Sequence, residues 1–146
     1  MPVAADIEFN EKIAKGFLAA APGAGGGLPE FLGVQITGAG PGTMNGQFEV
    51  RAELLTPMGN MHGGVLSAFC DHMLGCVCYP AMKRGQWAAT TEFKINLTAP
   101  VKQGVVEARA EIVNITRTQA VVRIDVTNEG RTAAMAQGTV TIRDPK

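Results

Sequence analysis

A chain of 146 residues fits one domain and is long enough to bury a core. Hydrophobic residues make up 46% of it, well above what disordered chains carry. Thirteen basic residues balance thirteen acidic ones and no basic run interleaves with aromatics, which argues against nucleic-acid or anionic-membrane partners.

Residues 1–6 lack a charged segment followed by an apolar one, so no signal peptide is expected and a cytoplasmic setting is. Between 6 and 20, Ile7, Ile13, Phe17 and Leu18 lie among charged residues, the pattern of a modest amphipathic helix. The run Pro22-Gly23-Ala24-Gly25-Gly26-Gly27 is too glycine-rich to hold a helix and reads as a loop. Residues 1–30 thus form an N-terminal helix and loop, and 31–146 the main body of a single domain. A short strand is expected over 31–37, a turn over 38–42 and a longer alternating strand over 43–54. Thr56-Pro57-Met58-Gly59 breaks that strand.

From 63 to about 82 nearly every helical face is apolar, which predicts a long helix buried on most sides and ending near Lys83-Arg84-Gly85. Asp71, His72, Gly75 and Pro80 interrupt this stretch, so it reads as a buried helix of a soluble protein, not a membrane span. Cys70, Cys76 and Cys78 form no CxxC pair and read as small apolar packing. Strands are expected over 88–97, 105–116, 119–127 and 132–143. Phe93, Ile95 and Leu97 alternate with Glu92, Lys94 and Asn96, and Ala120, Val122, Ile124 and Val126 repeat with the same period of two. Asn128-Glu129-Gly130 suits a hairpin turn. A long apolar helix followed by antiparallel strands packs most simply as an α+β fold, with the sheet curled around the helix. Val105, Val113 and Val121 put apolar surface on the second sheet face, consistent with an oligomer.

The chemistry concentrates in Asn60-Met61-His62-Gly63-Gly64 and in Asp71, nine residues past the histidine. Glycines opening a helix expose backbone N–H groups that can polarise a carbonyl, and one such donor is worth roughly 3 kcal/mol in acyl-transfer sites. A lone carboxylate on an oily helix is costly and needs an explanation. Its helical neighbours Ser67, Ala68 and Gly75, with Cys78 two turns on, are small and leave room for a substrate. Desolvation or nearby donors would tune Asp71 as a general base or nucleophile. His62 is expected to cap or brace the loop, with no acidic partner to make it a triad base. The same residues also fit a tight turn and a hydrogen-bonded core carboxylate. His72 and Cys76 lack a third ligand at defined spacing, so no metal is expected.

The stretch Leu55-Thr56-Pro57-Met58-Gly59-Asn60-Met61-His62-Gly63-Gly64-Val65-Leu66, followed by Asp71, resembles the hot-dog-fold acyl-CoA thioesterases. It is most similar to the phenylacetyl-CoA thioesterase (PaaI-like) and 4-hydroxybenzoyl-CoA thioesterase group. The run from Thr90 to Pro100, with Gly104 after it, is similar to the strand that follows the family's helix. The resemblance implies a long central helix wrapped by a curved antiparallel sheet of five to six strands. It implies that Asp71 activates water or attacks the thioester, that the Gly63 N–H holds the carbonyl oxygen beside Gly64, and that His62 braces the loop. Thr90 matches a hydroxyl that positions water, although parity with Phe93 favours Thr91, and both remain open.

Six residues before the histidine the family carries Asn or Gln; here Thr56 stands there and the nearest amide is Asn60. The resemblance further implies a homo-oligomer, a dimer or a tetramer built as a dimer of dimers. Asp71 and Thr90 would then face His62 and Gly63 of a neighbour. Coenzyme A would enter as part of the substrate, with no separate cofactor, its phosphates met by Arg117, Lys102, Arg84 or Lys83. Competing readings are a hydratase or dehydratase using His62 and Asp71, and a non-catalytic acyl-CoA-binding protein suggested by Thr56.

Overall fold

The computed structural model describes residues 6–146, so the expectation about a leader, made on residues 1–6, lies outside the described residues in all but its last position. Helix α1 spans Glu11–Ala19, opened by Asn10, whose side-chain oxygen accepts from the Lys12 and Ile13 N–H groups at 3.1 Å. Helix α2 spans Gly27–Leu32, where a loop and the start of a strand were expected. Pro29 suits its first turn, and Gly33, at φ 72°, ends it by donating to Glu30. The helix therefore straddles the boundary drawn at residue 30. Its Phe31 is exposed beneath the Arg51 guanidinium, 5.1 Å from the ring centre, instead of starting a strand.

Strands β1 (Gln35–Gly40), β2 (Thr43–Glu49), β3 (Trp87–Leu97), β4 (Val105–Ile115), β5 (Gln119–Asn128) and β6 (Arg131–Arg143) form one antiparallel sheet in the order β1-β2-β4-β5-β6-β3. β2 stops earlier than expected. Beyond it Arg51 donates to the Phe31 and Leu32 carbonyls, and a 3-10 turn at Ala52–Leu54 takes over. The β5–β6 hairpin turns at Glu129 and Gly130, both at positive φ (50° and 77°), which matches the strand twist.

The central helix α3 spans Gly63–Cys76 and does not reach residue 82. Cys78 donates to Gly75, three residues back, and the chain tightens into a second 3-10 turn, Tyr79–Ala81. Pro80 has no N–H with which to continue an α-helix, which accounts for the early stop. α3 packs against β2, β3, β4, β5 and β6. Five strands at ~4.8 Å spacing span about 19 Å against a helix about 10 Å wide, so the sheet must curl to meet it. Leu66, Phe69, Met73 and Leu74 of α3 are buried against Ile112, Val122, Ile124 and Val140 from the sheet. Phe48 meets Phe69 edge-on at 4.9 Å.

Candidate active site

Asp71 lies in the C-terminal half of α3 and lines a cleft of ≈ 460 Å³ with His72, Cys76, Tyr79, Thr90 and Phe17. Its carboxylate is exposed in the single chain, not buried as an oily helix suggested. Cys78, expected beside it, is fully buried with its Sγ donating to the Leu74 carbonyl at 3.4 Å, because the helix ends before it. His72 is half-buried, its Nε2 3.4 Å from the Cys76 Sγ. Burial lowers the His72 pKa below the ordinary imidazole range, and the Asp71 charge opposes that shift. Burial also pushes the Cys70, Cys76 and Cys78 thiols up to about 12. Among the described residues no three His, Cys, Asp or Glu side chains are grouped so that they could hold a metal ion.

The choice between Thr90 and Thr91 turns on a bulge in β3. Thr90 pairs with Val140 and Glu92 with Thr139, so Thr91 is the extra residue. Parity flips across it: Ala88 and Thr90 face the helix before the bulge, Phe93 and Ile95 after it. The Thr91 hydroxyl bonds the Thr139 carbonyl and the Thr141 hydroxyl at 3.3 Å on the outer face. Gly138 makes the bulge possible, since a Cβ there would lie 2.6 Å from the Glu92 carbonyl oxygen.

The other half of the expected site sits at the opposite end of α3. His62 caps the helix, its Nδ1 accepting from the Gly64 N–H at 2.9 Å. That bond requires a neutral ring with its proton on Nε2. It also takes the Gly64 N–H out of the pair of donors expected for a carbonyl, whereas the Gly63 N–H donates to no described group. Gly63 and Asn60 line a separate cavity of ≈ 310 Å³ with Leu97, Thr98 and Pro100. The Asn60 Oδ1 is buried there without a partner. Thr56 turns its hydroxyl to the Met58 N–H (3.3 Å).

Gly63 and Asp71 are eight residues apart on one helix, about 12 Å at ~1.5 Å rise per residue, so one chain cannot present both to a single carbonyl. The expected cations do not converge either. Arg117 lies in the β4–β5 turn and Lys102 precedes β4, about 30 Å away along that strand. Arg84 and Lys83 line a third groove with Glu8 and Glu11. Phe17 and Tyr79 went unnoticed in the sequence as site residues, because only the fold of α1 onto the second 3-10 turn brings them to Asp71.

Comparison with known proteins matches this architecture. The thioesterase superfamily model matches residues 58–135, just over half of the chain and the part carrying α3 and most of the sheet. The chain belongs to the thioesterase superfamily and has its hot-dog fold, which makes it a thioester hydrolase by class. It is 28% identical to a 1,4-dihydroxy-2-naphthoyl-CoA hydrolase of Listeria monocytogenes over 70% of this chain and 84% of that protein. Among solved structures, a Haemophilus influenzae thioesterase is 25% identical with a TM-score of 0.74, covering 79% of this chain and 81% of that one. A mutant of the phenylacetic acid degradation protein PaaI from Thermus thermophilus is 33% identical with a TM-score of 0.70, covering 77% and 95%.

Proposed function

We propose that this protein is a cytoplasmic acyl-CoA thioesterase that works as a homo-oligomer, hydrolysing an acyl-CoA to the free acid and coenzyme A. The observation that carries the reading is the free Gly63 N–H at the start of α3 together with the Asp71 carboxylate facing an open cleft. Their separation within one chain calls for a second copy, so that Asp71 and Thr90 of one subunit meet Gly63 of another. The unpaired outer edge of β3 offers a surface on which two sheets can join. The similarity to a protein named a CoA hydrolase supports coenzyme A as the thiol.

In this reading the Gly63 N–H stabilises the oxyanion as the thioester carbonyl is attacked. Asp71 takes the proton of the attacking water or attacks the carbon itself, and Thr90 orients the water. His62, held as a neutral cap, keeps the Gly63 N–H aimed outward. Asn60, whose buried Oδ1 lacks a donor, stands in for the amide that Thr56 does not supply. Arg117, Lys102 and Arg84 serve coenzyme A phosphates, at most one cluster per site given their separation. The test follows thiol release from aromatic and aliphatic acyl-CoAs. Asp71→Asn is expected to lower kcat by about 10²–10⁴-fold, and unchanged turnover would refute the assigned role.

A further inference from the structure

Resting on the thioesterase reading of the Asp71 cleft, we propose that Phe17 of α1, stacked on Tyr79, closes the far end of that cleft. The enzyme then selects compact acyl groups over long unbranched ones. The cleft is lined by the polar Asp71, His72 and Thr90 and by the less polar Phe17, Tyr79 and Cys76. In chain order Asp71 and His72 come before Cys76 and Tyr79, which lie at and beyond the end of α3. Tyr79 follows Asp71 by eight residues, past the end of α3 at Cys76 and at the start of the 3-10 turn beyond it. An acyl chain with its carbonyl at Asp71 therefore runs along the end of α3 until it meets the two rings.

The rings are built as a wall. Their centroids lie 6.3 Å apart and their planes are tilted by 55°, within the range of a favourable aromatic pair. The Tyr79 hydroxyl accepts from the Ala88 N–H at 3.5 Å, which ties the ring to the start of β3. The Asn10 N–H donates to the Pro80 carbonyl at 2.7 Å, which fastens the start of α1 over the same turn. Phe17 lies outside residues 58–135, so the wall is contributed by a helix that the superfamily match does not include. Between Asp71 and Tyr79, four residues from each, Gly75 keeps the space open: a Cβ built there meets nothing within 4 Å.

These features give two levers of opposite sign. Removing the ring in Phe17→Ala lengthens the cleft, and Gly75→Val fills it from a Cβ that meets no neighbour within 4 Å. The experiment measures kcat/KM over straight-chain acyl-CoAs from butyryl to palmitoyl. Wild type is expected to decline with chain length. Phe17→Ala should move the optimum to longer chains, gaining about fourfold for each further methylene buried. Phe17→Trp and Gly75→Val should move it to shorter ones, and Leu18→Ala, an exposed neighbour on α1, should leave the order unchanged.

Phe17→Leu keeps an apolar side chain on α1 and should shift the optimum in the same direction as Phe17→Ala but less, which guards against a loss of folding. An optimum that does not move in any of the three Phe17 variants, or an equal loss on all chain lengths, overturns the wall. If wild type hydrolyses neither this series nor aromatic acyl-CoAs, the thioesterase reading fails by itself. The wall is then judged from the dissociation constants of the same acyl-CoAs by calorimetry, where the same rank shifts are expected and their absence refutes it.

Discussion

Burial holds the His72 imidazole below its ordinary range even though the Asp71 carboxylate beside it works in the opposite direction. The folded protein therefore takes up this proton less readily than the unfolded chain, whose imidazole titrates near ~6.5. The sign follows directly: the stability is complete above about pH 6.5 and falls as the pH drops through that value, where the unfolded chain binds more protons. Thermal melts at about pH 7.5 and about pH 5 should show a Tm loss on acidification that His72→Gln reduces; an equal loss in both proteins would exclude His72 as the cause. The thiols behave differently. With pKa values pushed up to about 12 and little exposure, Cys70, Cys76 and Cys78 stay protonated at neutral pH. A thiol-exchange reagent should titrate none of them in the native protein and all three after unfolding. Fast labelling of Cys76 in the native protein would contradict this.

Two element boundaries carry the proposed chemistry. At the N-terminus of α3, Gly63 stands where a helix tolerates proline, and His62 has the extended conformation (φ −62°, ψ 131°) that a residue before proline needs. Gly63→Pro therefore deletes the free N–H and keeps the helix. It is best built with Leu97→Ala, because a Cβ at 63 would lie 2.6 Å from the Leu97 Cδ1. A fall in kcat of about 10²–10³-fold with little change in Tm is expected; retained turnover would remove that N–H from the mechanism. At the β3 bulge, Gly138→Ala would press on the backbone at Glu92 and should cost about 1–3 kcal/mol by chemical denaturation. A neutral substitution there would mean that the bulge relaxes freely. The bulge also explains why the choice of threonine was not legible in the sequence. Alternation through Phe93 and Ile95 points to Thr91, and the residue that shifts it, Gly138, belongs to a strand far along the chain.

For the whole molecule, the separation of Gly63 from Asp71 makes a prediction that no single-chain site shares. Mixing Asp71→Asn with the Gly63→Pro/Leu97→Ala protein under conditions of subunit exchange should restore activity from two inactive parents. If sites form between paired subunits, half of the dimers are mixed and each has one intact site, so recovery should approach about a quarter of wild type. No recovery, with exchange demonstrated, would argue that each chain works alone. The free β3 edge and the exposed Leu97 and Trp87 lie where such a pairing would bury them. Among the described residues no helix is long and apolar enough to cross a membrane.

Local rules account for what the chain alone determined. The histidine before the glycine pair caps α3, the strands expected over 88–97, 105–116, 119–127 and 132–143 become β3, β4, β5 and β6 within a residue or so of their expected ends, and Glu129-Gly130 turns the last hairpin. Each follows from neighbours within a few positions, which is the range over which backbone propensity and side-chain periodicity act. Tertiary structure decided the rest: that Thr90 and not Thr91 faces Asp71, that the carboxylate is exposed, that the Gly63 end and the Asp71 end of α3 open into separate cavities, and that Phe17 reaches Tyr79. These are meetings between segments distant in sequence, set by how the sheet curls around the helix and by where Pro80 stops it, and no local pattern encodes them.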